Sequence, residues 1–71
     1  MRTDQYILRY SYGDHTLVVK ANAGSVKAEK QVGEDWVVAD SFDADGSWRL
    51  ALGNSPTRFT PSGGAAYEVA K

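Results

Sequence analysis

Turn-forming residues punctuate this chain at short, nearly even intervals, and that spacing limits what it can fold into. Gly13-Asp14, Asn22-Ala23-Gly24, Gly33-Glu34-Asp35, Asp43-Ala44-Asp45-Gly46, Gly53-Asn54-Ser55-Pro56 and Ser62-Gly63-Gly64 leave segments too short for an ordinary helix. Within those segments no apolar residues recur at the i, i+3, i+4, i+7 spacing of a helix. They alternate instead, as half-buried strands do. Short strands separated by turn signals every ~8–12 residues indicate an all-β antiparallel sandwich or small barrel.

Residues 25–42 form the best-defined unit. Val26, Ala28 and Val32 fall on one face with Lys30 among them, against Lys27, Glu29 and Gln31. Gly33-Glu34-Asp35 breaks the alternation with turn chemistry, and residues 36–42 return rich in aromatic and β-branched side chains. This predicts a β-hairpin. Further strands are expected over residues 5–11, 15–21, 47–52, 57–60 and 65–70, about seven short strands in all, joined mainly as hairpins. Gly13-Asp14 is expected to join the first two through a type II′ turn, and Asp45-Gly46 is a strong hairpin signal. Nothing divides the chain, so residues 1–71 read as one domain. The parity of each strand predicts a core of Leu8, Leu17, Val19, Val26, Trp36, Val38, Phe42, Trp48, Leu50, Leu52, Phe59 and Val69.

With 71 residues the chain is near the lower size limit for independent folding. Proteins this small usually add a disulfide, a metal or a partner subunit. There are 0 cysteines and 1 histidine, so disulfides and thiolate metal sites are excluded and His15 alone anchors no zinc. Oligomerisation, or docking on a larger assembly, remains as the supplement.

Catalytic constellations are weak. His15 has Asp14 beside it and Ser11 as its nearest hydroxyl, but neighbours on a turn seldom reach the geometry of a triad, so His15 is expected to be an exposed turn residue. The run Asp43-Ala44-Asp45-Gly46 resembles a calcium loop; in the EF-hand frame the first and twelfth positions fall on Ser41 and Leu52, which fail as ligands. A site of another kind on Asp40, Asp43 and Asp45 stays open, with the Asp-Gly turn a sufficient explanation. Trp36, Trp48, Tyr6, Tyr10, Tyr12 and Tyr67 offer stacking surface for sugars or bases, but aromatics also dominate small β-cores. No catalytic residue, cofactor or metal is therefore expected, and no small-molecule substrate.

The formal net charge of -1 argues against a general nucleic-acid partner, which needs a basic face. The charges are unevenly placed. Arg2, Arg9, Lys20, Lys27 and Lys30 precede an acidic stretch of Glu34, Asp35, Asp40, Asp43 and Asp45, in which no Lys or Arg occurs before Arg49. Such segregation allows head-to-tail charge matching between subunits, beside the simpler reading of solvated turn carboxylates. No run approaches the ~18 apolar residues of a membrane span, and residues 1–5 lack the apolar core of a signal peptide. The expectation is a chain made in the cytoplasm without an export signal and not bound to membrane.

Trp36 is followed by Ser41-Phe42-Asp43-Ala44-Asp45-Gly46, then Leu50-Ala51-Leu52-Gly53, then Arg58-Phe59-Thr60-Pro61-Ser62-Gly63-Gly64-Ala65-Ala66-Tyr67. Over its second half the chain thus resembles small all-β structural proteins of tailed bacteriophages. That resemblance implies a non-enzymatic virion component: a capsid decoration or stabilising protein first, a tail or adaptor component second. Its partners would be further copies of itself, with a trimer as one form, and other virion proteins. The expected interface uses the last strand (Ala65, Tyr67, Val69) with Asp43, Asp45 and Arg58. A carbohydrate- or protein-binding β module using exposed aromatics is the alternative. Because no ligand set for a metal is complete, treatment with a chelator should leave the melting temperature unchanged; a drop that added calcium reverses would show a site on the acidic turn.

Overall fold

The computed structural model describes residues 1–9 and 13–71. It contains seven strands: β1 (Tyr6–Leu8), β2 (Asp14–Lys20), β3 (Ser25–Val32), β4 (Asp35–Phe42), β5 (Gly46–Ala51), β6 (Thr57–Ser62) and β7 (Ala66–Ala70). They form two sheets, ordered β1-β6-β3-β4 and β5-β2-β7, with every pairing antiparallel. This is the small all-β sandwich that the turn spacing and alternation predict.

The connections differ from expectation. Only β3 and β4 form a hairpin, turning at Gly33-Glu34 so that Val32 faces Asp35. Every other link crosses from one sheet to the other. Gly13-Asp14 therefore joins no hairpin, since β1 pairs with β6 and β2 with β5 and β7. Asp45-Gly46 likewise starts β5 in the opposite sheet instead of folding it onto β4. The physical reason is burial: each sheet has one apolar face, and crossing links place successive faces against one another. The later part of the expected first strand, Tyr10 and Ser11, lies outside the described residues.

One pair of crossing links locks an end of the sandwich. The β2–β3 corner takes Asn22 and Ala23 through φ of 49° and 65°, and the Gly24 amide donates to the Ala21 carbonyl at 2.7 Å. The corner lies against the β6–β7 link, and a Cβ on Gly24 would collide with the Ser62 carbonyl oxygen. Only glycine permits that approach. Asn22 Nδ2 donates to the Gly64 carbonyl at 3.2 Å, and the hydroxyls of Ser25 and Ser62 lie 3.1 Å apart.

The core holds Leu17, Val19, Val26, Phe42, Leu52 and Phe59, all expected, together with Ala21, Ala28, Ala65 and Tyr67, which were not. Trp48, Leu50, Leu8 and Val69 are half-buried against it. The Trp48 ring lies 4.8 Å from that of Phe42 and also covers the bare backbone of Gly46. His15 is not an exposed turn residue. It pairs with Leu50 inside β2, on the parity of Leu17 and Val19, and is buried, with no hydrogen bond to Nδ1 among the described residues.

Two core assignments are corrected: Val38 is 51% exposed, and Trp36 lies on the outer face. The cause is a β-bulge. Ala28 faces Asp40 but Glu29 faces Val38, so Ala39 is an extra residue in β4. An extra residue reverses parity along the strand. Phe42 keeps the inward face opposite Val26, whereas Val38 and Trp36 face outward opposite Glu29 and Gln31.

Tyr67 is fully buried and links three segments. Its main chain exchanges two hydrogen bonds with Arg2, at 2.7 and 2.9 Å. Its hydroxyl donates to the Asp4 carbonyl at 2.7 Å, with the Phe59 carbonyl at 3.3 Å. Burial pushes the phenol up from 10.0 to about 12. Its protonated form is therefore favoured by folding, so its contribution is complete below pH 10 and is lost as pH rises through about 12. Tyr67→Phe is expected to cost about 1–3 kcal/mol in denaturant unfolding and to remove that part of the alkaline loss; equal stability in both proteins would deny the buried bond.

Candidate functional site

The outer face of the four-stranded sheet carries the most developed side-chain network. Glu29 on β3 stands opposite Arg58 on β6, and the two make a bidentate pair, Nε to Oε1 at 3.0 Å and Nη2 to Oε2 at 2.8 Å. The Thr60 hydroxyl donates to Glu29 Oε1 at 2.6 Å, and Gln5 Nε2 reaches the Thr60 hydroxyl oxygen at 3.1 Å. Trp36 completes the row, with the Arg58 guanidinium 4.7 Å from its ring centroid. A planar guanidinium suits this double duty, since its edge pairs with carboxylate while its face stacks on an indole. The Arg58 bond, the Thr60 hydroxyl and the charges of Arg58 and Lys27 hold the Glu29 carboxyl below its usual range, against the opposing effect of burial.

Next to this network lies β4, an edge strand paired only with β3. Its apolar residues stand on both faces, because the bulge turns Val38 and Trp36 outward and leaves Val37 inward beyond the reach of the second sheet. Val37 and Val38 are each 51% exposed, and Val32 at the adjoining turn is 62% exposed. Between β4 and β5 the sandwich is open, with a recess of about 210 Å³ lined by Lys30, Asp40, Arg49 and Thr57 over Leu50 and Leu52. Lys30 Nζ donates to the Leu52 carbonyl and, at 2.7 Å, to the Thr57 hydroxyl; burial lowers its pKa.

The expected interface residues are not brought together. Ala65 and Tyr67 are 2% and 0% exposed, so their side chains face the core and only their main chain could take part in edge pairing. Part of β7's outer edge is moreover closed by Arg2. Val69 packs half-buried against the core. Asp43 is exposed, while Asp45, exposed overall, accepts the Ala21 amide at 2.8 Å and so holds the β4–β5 link to the end of β2. Asp40 accepts the following Ser41 amide at 3.0 Å, and no group of three metal-ligating residues converges among the described residues. Arg58 lies beside the exposed β4 surface, engaged with Glu29 and Trp36.

Sequence reasoning missed the edge of β4. The signal was present: Trp36-Val37-Val38-Ala39 is a continuous apolar run that strict alternation does not accommodate, and a bulge resolves it. Neither a family model, nor a curated protein, nor a solved structure matches the chain.

The Glu29–Arg58 pair is mostly shielded, with side-chain exposures of 11% and 24%. A carboxyl lowered on folding contributes stability above its unfolded pKa and loses it as pH falls through the folded value. Glu29→Gln should therefore cost about 1.5–3 kcal/mol at neutral pH and flatten the acid limb of the stability profile. An unchanged acid limb in the variant would remove Glu29 from that role.

Proposed function

We propose that the chain is a non-enzymatic structural component of a phage particle, a capsid decoration or stabilising protein in the first place and a tail or adaptor component in the second. The observation that carries this reading is β4, an eight-residue edge strand with apolar side chains exposed on both faces. Natural proteins blunt edges with charge, proline, bulges or a covering segment. β4 has acids toward its ends and a bulge at Ala39, but its centre, Trp36-Val37-Val38, is uncharged, with both valines exposed, which suits a partner chain. Assembly also answers the size problem, because a partner that binds only the native state adds stability by mass action. The resemblance of the second half to virion proteins supplies the setting: further copies and other virion proteins as partners.

Trp36 supports a second reading, a carbohydrate- or protein-binding module. Its ring is half-exposed beside a polar row, the arrangement a stacking platform uses. The two readings separate on one preparation. Particles banded from a lysate of cells making the chain should carry it in fixed proportion to the coat protein. Recovery of the chain entirely in the soluble fraction, with binding to a glycan that Trp36→Ala abolishes, would replace the virion reading with the second.

A further inference from the structure

The four-stranded sheet ends in β4 on one side and β1 on the other, and among the described residues these two edges have opposite character. At one, β4 is flanked by Glu34 and Asp43 and contains Asp35 and Asp40, with no Lys or Arg from residue 34 to residue 48. At the other, β1 presents Tyr6, Ile7 and Leu8, all half-buried, followed by the exposed Arg9. We propose that the β4 edge of one copy receives the β1 edge of a second copy, joining the four-stranded sheets head to tail. The inference rests on the assembly reading above in treating the chain as a subunit, and it names that subunit's partner and contact.

Strand direction permits this pairing. Four antiparallel strands in a row leave the outer two, β1 and β4, running oppositely. A second copy in the same orientation therefore lays β1 antiparallel to β4, and the ladder continues unbroken. Facing agrees as well. Ile7 stands opposite Arg58, on the outer face, and Tyr6 stands opposite Phe59, on the inner one. In a continuous sheet Ile7 then falls beside Trp36 and Val38, and Tyr6 beside Val37. The register that sets Ile7 against Trp36 sets Tyr6 against Val37 and Arg9 against Glu34. It covers the side chains that β4 leaves in water.

Charge selects this occupant over a symmetric one. Two β4 edges placed together would gather Glu34, Asp35, Asp40 and Asp43 of both copies with no basic residue in either strand. Like charges across a strand pair destabilise it. A β1-to-β4 contact is heterologous, so repetition closes a ring or grows a filament.

Sedimentation velocity on the full chain, from micromolar to millimolar, tests the proposal. Val37→Lys/Val38→Lys disables the β4 edge at exposed positions; Arg9→Glu disables the β1 edge at an exposed position, and Ile7→Glu/Arg9→Glu does so more strongly. Circular dichroism confirms that each variant is folded, and Arg9→Glu is the variant read if the double one is not. The wild type should form species larger than a dimer, and each variant alone should remain monomeric. An equimolar mixture of a β4 variant and a β1 variant should form a dimer and nothing larger, because one intact edge of each kind remains. A monomeric wild type, a β1 variant that associates as strongly as the wild type, or a mixture that stays monomeric overturns the proposal. A chain that bands with particles but stays monomeric in free solution overturns this inference and leaves the virion reading standing.

Discussion

Tyr67 is the constraint on which the rest of this small sandwich depends. It is the largest fully buried side chain, and its ring centroid lies 5.9 Å from that of Phe59 in the opposite sheet. Its main chain belongs to β7 but also binds Arg2, while its hydroxyl binds Asp4 just before β1. The N-terminal segment thus bonds to β7 in one sheet and continues into β1, which bonds to β6 in the other. A chain with 0 cysteines and a core of this size has few other means of fastening two sheets along one side. Removing the phenol oxygen would take from the Asp4 carbonyl the donor that ties the N-terminal segment to β7.

The opposite side of the sandwich is held by side chains instead. There β4 and β5 stand apart around the recess that contains Lys30, whose ammonium is satisfied by the Leu52 carbonyl and Thr57. The bulge at Ala39 adds to the asymmetry, because it returns Phe42 to the core while giving Trp36 and Val38 to the outer surface. Had β4 been regular, Trp36 and Val38 would share the face of Phe42 and the outer face would lack its aromatic. One extra residue therefore creates both a stacked Trp36–Arg58–Glu29 row and an apolar edge next to it.

Most of the fold was legible because turn chemistry and period-two alternation are local. Strand number, the β3–β4 hairpin and the inward face of Leu17, Val19, Val26 and Phe59 follow from them directly. What was not legible depends on distant partners. Gly13-Asp14 and Asp45-Gly46 have hairpin composition, but whether the chain turns back or crosses to the other sheet is decided by which faces need burial. Tyr67 reads as an edge-strand aromatic until the Asp4 carbonyl is seen to meet its hydroxyl. His15 reads as a turn residue until β2 is seen to start at Asp14. The inward side chains of Ala65 and Tyr67 were likewise not legible, since the partner that covers them and the Arg2 bridge both come from distant segments.

The two margins of the sandwich then have different fates for one reason. Arg2 gives β7 two main-chain bonds at Tyr67 from within the same chain, so part of that edge is satisfied locally. No segment of the described chain does this for β4, and the strand is neither short nor basic, nor does it carry a proline. Its acids lie toward its two ends, with Trp36, Val37, Val38 and Ala39 between them. Charges so placed discourage an identical acidic edge while leaving the centre open to an apolar one with a basic flank. The acidic ends and the exposed apolar centre thus belong to one short stretch, residues 34–43.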